Sequence, residues 1–475
     1  MNPDLLLTAS LRAARWGAAV TRILAAALDA VDPAAAVHRY LRRDGDLLRA
    51  GDRRYDLRDF ERVFVVGTGK AGAPMARAAA EVLGDRLAGG VMVVKGYGDG
   101  QKLQIAECKL QIEEPNLQST IYNLQFVEAG HPIPDERGVA GARQIAQLLE
   151  QATERDLVIA LISGGGSALL TLPPEGITLA ELQKLTNILL RCGANINEIN
   201  TLRKHLDQVK GGGLARLAHP ASMITLVLSD VVGSPLDVIA SGPTVPDTSS
   251  FAEAYAVLER YGVVAEAPTP IVDRLRRGMA GQIAETLKPG DPRLARVHNL
   301  IVGSNPQAAA AALAAARKHG FNTLLLTTFL QAEAREAGRM LAAVARELAS
   351  TGQPLPRPAC IIAGGETTVT LRGSGRGGRN QELALAAVPE LAGLPDMALI
   401  ALATDGGDGP TDAAGAVATG ATLERARAQG LDPAAYLARN DAYPFFEALG
   451  DLLRPGPTET NVNDLVFVFA FKGIA

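Results

Sequence analysis

The chain has 475 residues, more than the roughly 250 to 300 that one hydrophobic core organises, so two domains are expected. Apolar residues make up 47% and charged residues 21%, a balance that excludes a disordered chain and a fibrous repeat. With 47 Lys and Arg against 51 Asp and Glu, the net charge of −4 supplies no basic field for a nucleic-acid backbone and excludes that partner.

The N-terminal segment scatters arginines and aspartates among its leucines and alanines. That breaks the apolar core a signal peptide needs, and two amphipathic helices are expected instead. No run of about 18 uncharged apolar residues occurs, so no membrane span is expected. Cys108, Cys192 and Cys360 lie far apart without metal-ligand spacing, as in a reducing compartment. The expectation is a cytoplasmic protein, monomer or homodimer, whose partner is a small molecule.

Beyond residue 60 one unit recurs: a short apolar run, a glycine-rich turn, then an alanine- and leucine-rich helical stretch. The runs are 63–66, 91–94, 157–162, 224–228, 300–302, 324–327, 360–363 and 399–403. Apolar throughout, they read as strands buried on both faces of parallel sheets, which makes the fold class α/β. A helix over 306–319 opens with Pro306 and stops at Gly320. The charged, proline-bearing stretch 266–296 separates two sets of units and divides the chain into domains 1–280 and 281–475. The last run, 465–471, returns to either sheet. Residues 98–125 break the pattern, being polar and glutamine-rich. They read as a surface hairpin, the alternative being a lid.

The first turn, GTGKAG, carries Gly67, Gly69 and Gly72 between a strand and a helix, so its amides are placed to receive an anion. A dinucleotide site also wants an acid at the end of the next strand, and Lys95 stands there instead. Lys70 at a helix start is repelled by the dipole unless an anion lies between, a phosphate being the simplest; otherwise it points into water. A second turn, Ser163, Gly164, Gly165, Gly166 and Ser167, repeats the design. Its three glycines favour close approach of a ligand to backbone amides.

His131, in a proline-fixed loop, suits either a substrate contact or a structural role. Asn200, Arg203, Lys204 and His205 share about one helical turn ahead of Lys210 and three more glycines; they are candidates to face an anion or to be ordinary exposed charges. Asp230 and Asp405 close two strands, where carboxylates point into the crevice of open α/β sheets. They suit magnesium or a base that accepts a hydroxyl proton, while Asp408 and Asp412 suit turn capping. Glu366, Arg376 and Arg379 flank a glycine-rich loop from which an arginine can fork onto a carboxylate or phosphate.

Taken together, GTGKAG, EAGHPIPD, SGGGSALL, NTLRKHLDQVKGGGLA, SDVVGSPLDVIASGPT, GGETTVTL, GGRNQELAL, TDGGDGPTDAAGA and TNVND resemble the signatures of the glycerate kinases that carry a C-terminal MOFRL domain, the glycerate 2-kinases. The resemblance covers nearly the whole chain apart from 98–125. It implies a Rossmann-like N-terminal domain, a smaller C-terminal one, a deep cleft between them, and ATP, Mg2+ and D-glycerate as ligands. The family's lysine falls on Lys70 and its arginine on Arg379. Catalysis is then expected of Lys70, Arg379 and Asp230, and metal binding of Asp230 and Asp405. Nucleotide binding is expected of Gly67, Gly69, Gly72, Ser163, Gly164, Gly165, Gly166, Ser167, Lys210 and Glu366. No Walker-type phosphate loop and no protein-kinase catalytic loop with its Asp and Asn occurs. The enzymatic alternative is an NAD(P)-dependent hydroxypyruvate reductase.

Overall fold

The computed structural model describes residues 1–96 and 123–472; most of the expected 98–125 hairpin lies outside them. Contacts gather Pro33–Val302 into one compact unit and Met1–Asp32 with Gly303–Ala475 into another. Among the described residues no helix is long and apolar enough to cross a membrane.

The first unit begins with a small antiparallel sheet, β1 (Leu41–Asp44), β2 (Leu47–Ala50) and β3 (Arg53–Asp56). Its main sheet comprises β4 (Arg62–Gly69), β5 (Leu87–Lys95), β6 (Leu124–Ala129), β7 (Asp156–Ile162), β8 (Ser222–Leu228) and β9 (Val297–Gly303). The order is β6-β5-β4-β7-β8-β9, the doubly wound order of dinucleotide-binding folds, and the β4 to β8 ladders are parallel. Successive strands step away from β4 on one side and from β7 on the other. The carboxyl ends of β4 and β7 therefore flank the point where such sheets bind ligands.

Val63, Val65 and Val66 of β4 and Leu157, Val158, Ile159, Ala160 and Leu161 of β7 are completely buried. Each such aliphatic side chain larger than alanine contributes about 1.5–3 kcal/mol. That holds the two turns after these strands in place. Because β9 completes this sheet, the unit runs past the boundary expected at 280/281 to Val302.

The second unit's sheet comprises β10 (Asn322–Leu330), β11 (Ala359–Gly365), β12 (Met397–Ala403), β13 (Gly415–Thr419), β14 (Leu452–Leu453) and β15 (Asp464–Ala470), in the order β10-β11-β15-β12-β13-β14. The chain's last strand thus enters the middle of this sheet. It does not return to the first. It runs antiparallel to both β11 and β12, so only β10 and β11 pair in parallel. The continuous apolar character of β11, β12 and β15 reflects burial on both faces, which an antiparallel ladder in a sheet interior shares, whereas the edge strand β10 is largely exposed.

The N-terminal helices belong here too. Val20, Ile23, Leu24, Ala27 and Leu28 of Gly17–Asp29 bury one stripe, which packs on the alanine-rich helix Asn305–Lys318. Trp16 stacks on Phe471 at 3.7 Å, and Thr460 Oγ1 donates to the Val31 carbonyl at 2.6 Å.

Candidate active site

In the first unit the two glycine turns stand side by side because β4 and β7 are register-paired neighbours, Thr68 opposite Ile162. Ser163 N donates to Thr68 O at 3.0 Å, Lys70 N to Gly164 O at 2.9 Å, and Ala71 N to Ser163 Oγ at 3.0 Å. Ser163 is buried and its hydroxyl braces the first turn.

The glycines separate into two groups by what a Cβ would strike. At Gly67 it would meet Leu161 O at 2.0 Å, at Gly69 Ser163 Oγ at 2.1 Å, and at Gly72 the side chains of Met92 and Val94 at 3.2 Å. The first turn is glycine-rich because it is pressed against β7 and β5. At Gly164 a Cβ would meet Asp230 Oδ2 at 2.1 Å, and at Gly165, with φ +84°, His131 Cδ2 at 2.9 Å and Lys70 Cγ at 3.4 Å. The second turn therefore gathers Lys70, His131 and Asp230. Burial, then the positive charges of Lys70 and Lys95, lower the His131 pKa to about 4, so its imidazole is neutral near pH 7.

Residues 229–245 close over this turn. Ser234, Ala240 and Ser241 adopt positive φ of 51°, 49° and 61°, conformations that cost about 1–3 kcal/mol each and persist where packing dictates them. Ser241 Oγ is 2.8 Å from Ser167 Oγ and donates to Asn200 Oδ1 at 3.1 Å. Ser167 thus belongs to a chain of hydroxyls leading to the helix Ile196–His205.

On that helix Lys204 pairs with Asp247 at 3.3 Å. His205 lies 2.8 Å from Thr201 O through Nδ1 and 3.2 Å from Glu285 through Nε2. Lys210 is buried, and its ammonium donates to Leu170 O at 2.8 Å, to Thr171 Oγ1 at 3.2 Å and to Asp207. An ammonium has three donors and all are used. Lys210 is a strut inside the first unit, which corrects its expected place among nucleotide ligands.

In the second unit Arg379 opens the helix Arg379–Leu391, and Glu366 follows β11. Arg379 Nε donates to Asp464 Oδ2 at 2.6 Å, a second nitrogen to Asp464 Oδ1 at 3.2 Å, and a third to Glu366. Burial alone would lower the guanidinium pKa, but these two carboxylates raise it. Glu366 is thus committed to Arg379, and Asp464, unrecognised as a partner in the sequence, is its buried anchor. The only sequence signal was its place in TNVND.

Asp408 accepts from Gln381 N at 2.8 Å and Asn380 N at 3.1 Å, capping the helix that carries Arg379. Burial, above all, pushes its pKa up to about 7. Asp412 accepts from Tyr443 Oη at 2.7 Å. Asp405, just past β12, accepts from Gly407 N at 3.1 Å.

Among the described residues no three His, Cys, Asp or Glu side chains are gathered to hold a metal alone. A single carboxylate packed against a glycine turn, as at Asp230, still fits Mg2+, which takes one or two carboxylates and completes its shell with phosphate oxygens and water.

Residues 19–276 match the family model described as a domain of unknown function, DUF4147, and residues 359–464 match the MOFRL family. A D-glycerate 2-kinase from Thermotoga maritima is 44% identical over 86% of this chain and 90% of its own. A protein from Agrobacterium vitis named putative hydroxypyruvate reductase is 40% identical over 85% of this chain and 86% of its own. The crystal structure of a glycerate kinase from Thermotoga maritima superposes with a TM-score of 0.81 at 41% identity, covering 95% of this chain and 98% of that one.

Proposed function

From the premise that this chain belongs to the MOFRL-domain glycerate kinases, we propose that it transfers the γ-phosphoryl group of ATP to the 2-hydroxyl of D-glycerate, giving 2-phospho-D-glycerate and ADP. The observation that carries this reading is the second glycine turn, where a cation, a neutral imidazole and a carboxylate meet backbone amides at the switch point of the parallel sheet.

The transferring group carries spread negative charge, so catalysis is positioning and electrostatics. Lys70 and the amides of the Gly164–Gly165 turn hold the nucleotide's phosphates. The 2-oxygen forms its bond to the γ-phosphorus as the bond to the bridging oxygen breaks. Asp230 either accepts the hydroxyl proton or serves as a magnesium ligand, with Asp405 the other candidate carboxylate. Bound Mg2+ would neutralise charge on the phosphate oxygens. Arg379, on which the family's arginine falls, is the second unit's proposed catalytic residue, and buried Asp464 keeps its fork aligned.

The reductase name of the Agrobacterium relative supports a second reading through the same GTGKAG turn. Against it stands Lys95 at the end of β5, where a dinucleotide site needs an acid for the ribose. Supplying D-glycerate with ATP and magnesium, and separately hydroxypyruvate with NADH or NADPH, decides between them. Glycerate-dependent ADP release supports the kinase; nucleotide oxidation without ATP use supports the reductase.

A further inference from the structure

The first unit holds a cavity of about 480 Å3 between the helices Leu179–Arg191 and Ile196–His205, the loop at Pro132 and Ile133, and the end of the second glycine turn at Ser167. Both helices start from capping boxes, Thr178 with Glu181 and Asn195 with Glu198, which satisfy backbone donors of their first turns. Their inner faces present Leu185, Leu189, Ile199 and Leu202, and Leu206 follows at the end of the second helix. This is the make-up of a small-molecule pocket: apolar walls with a few placed polar groups.

Most of those polar groups are already satisfied. Lys210 donates to both Asp207 and Thr171. Gln183 donates to Pro134 O at 2.8 Å and Thr186 to Leu182 O at 2.9 Å, and Ser167 meets Ser241. Arg203 remains. Its guanidinium is partly buried in the lining and has no hydrogen bond or ion pair among the described residues, although its helix neighbours Lys204 and His205 both have partners. Burial lowers its pKa, and Asp207, the charge that opposes this, is itself bonded to Lys210. An arginine stays charged in proteins, so a guanidinium withdrawn from water without a counter-ion awaits an anion from outside.

The geometry points to Arg203 as the residue that reads the substrate's carboxylate: we propose that D-glycerate enters this cavity with its carboxylate on the Arg203 fork. This rests on the kinase reading. Guanidinium and carboxylate match in a bidentate pair. Phosphate binding is already assigned to Lys70 and the turn amides, which leaves the carboxylate as the substrate's unmatched charge. Apolar walls strengthen the pair by lowering the local dielectric. They also make the site reject a neutral triol, which would leave the guanidinium unpaired.

The test compares wild type with Arg203→Met, which keeps much of the apolar stem, and Arg203→Lys. KM for D-glycerate should rise on the order of 100-fold in R203M and less in R203K, with KM for ATP within about twofold. The preference for D-glycerate over its methyl ester should collapse in R203M. In wild type, D-glycerate but not glycerol or ATP should protect Arg203 from phenylglyoxal, read by peptide mass spectrometry; this arm holds even if the variants misfold. An unchanged glycerate KM in folded R203M overturns the assignment. So does a rise confined to KM for ATP, or protection by ATP alone, either of which would give the cavity to the nucleotide. If wild type does not phosphorylate glycerate at all, the kinase reading itself has failed, an outcome distinct from these.

Discussion

Gly164→Ala isolates the role of Asp230 with one methyl group. The added Cβ would stand 2.1 Å from Asp230 Oδ2 and 2.6 Å from its Cγ. Heavy atoms do not approach so closely, so the carboxylate must retreat by roughly 1 Å. A misplacement of that size in a site that works by positioning costs on the order of 100-fold in rate, about 2.7 kcal/mol in barrier. Gly164 is absent from the positive-φ positions, and the atom struck ends a rotatable side chain, so folding should lose only about 1–3 kcal/mol. Steady-state ADP release and urea denaturation measure the two quantities. Gly176→Ala, at φ +82° with nothing within 4 Å, controls for a glycine replacement away from the site and should leave kcat unchanged. A folded G164A enzyme with wild-type kcat would refute the placement of Asp230 at the reacting centre. Should G164A fail to fold, Asp230→Asn must show the same loss of rate.

Lys70→Met should cost 100-fold or more in kcat. It should also raise the His131 pKa above about 4, because one of the charges holding it down is gone; imidazole NMR titration reads this directly. Lys210→Met should destabilise the fold by about 3–5 kcal/mol by leaving Asp207 buried and unpaired, with KM for ATP unchanged in the folded fraction, as denaturation and kinetics together will show. Asp408 has a folded pKa of about 7, above the roughly 3.9 of an unfolded chain. The stability it contributes is complete below that unfolded value and is lost as pH rises through about 7. Asp408→Asn should therefore flatten the decline in stability between about pH 4 and 8, which denaturation across pH will test.

What the sequence disclosed follows from where side chains sit. The strands β4, β7, β8, β11 and β12 are buried on both faces, so each reads as an unbroken apolar run. By contrast β6 is half-polar, β13 is built of small residues, and the strands β1 to β3 carry LRRD, LLRA and RRYD, which resemble loop. The glycine turns were legible, but the division of labour between them was not. It depends on which neighbour lies under each missing Cβ, and that is set by the register of β4 against β7. Charge partners were hidden for the same reason: Asp464 lies 85 positions from Arg379, and they meet only because β15 inserts beside β11. Of the four polar residues on one turn of helix, nothing local marks Arg203 as unpaired, since the carboxylate partners of Lys204 and His205 are dozens of residues away.

The regiochemistry of the product tests the central claim most directly. Purified protein is incubated with ATP, magnesium and D-glycerate, and the product is identified by phosphorus NMR and by its direct conversion with enolase. The account predicts 2-phospho-D-glycerate, which enolase consumes without a mutase. Formation of 3-phospho-D-glycerate, or no phosphorylated product while hydroxypyruvate oxidises NADH or NADPH, would contradict it.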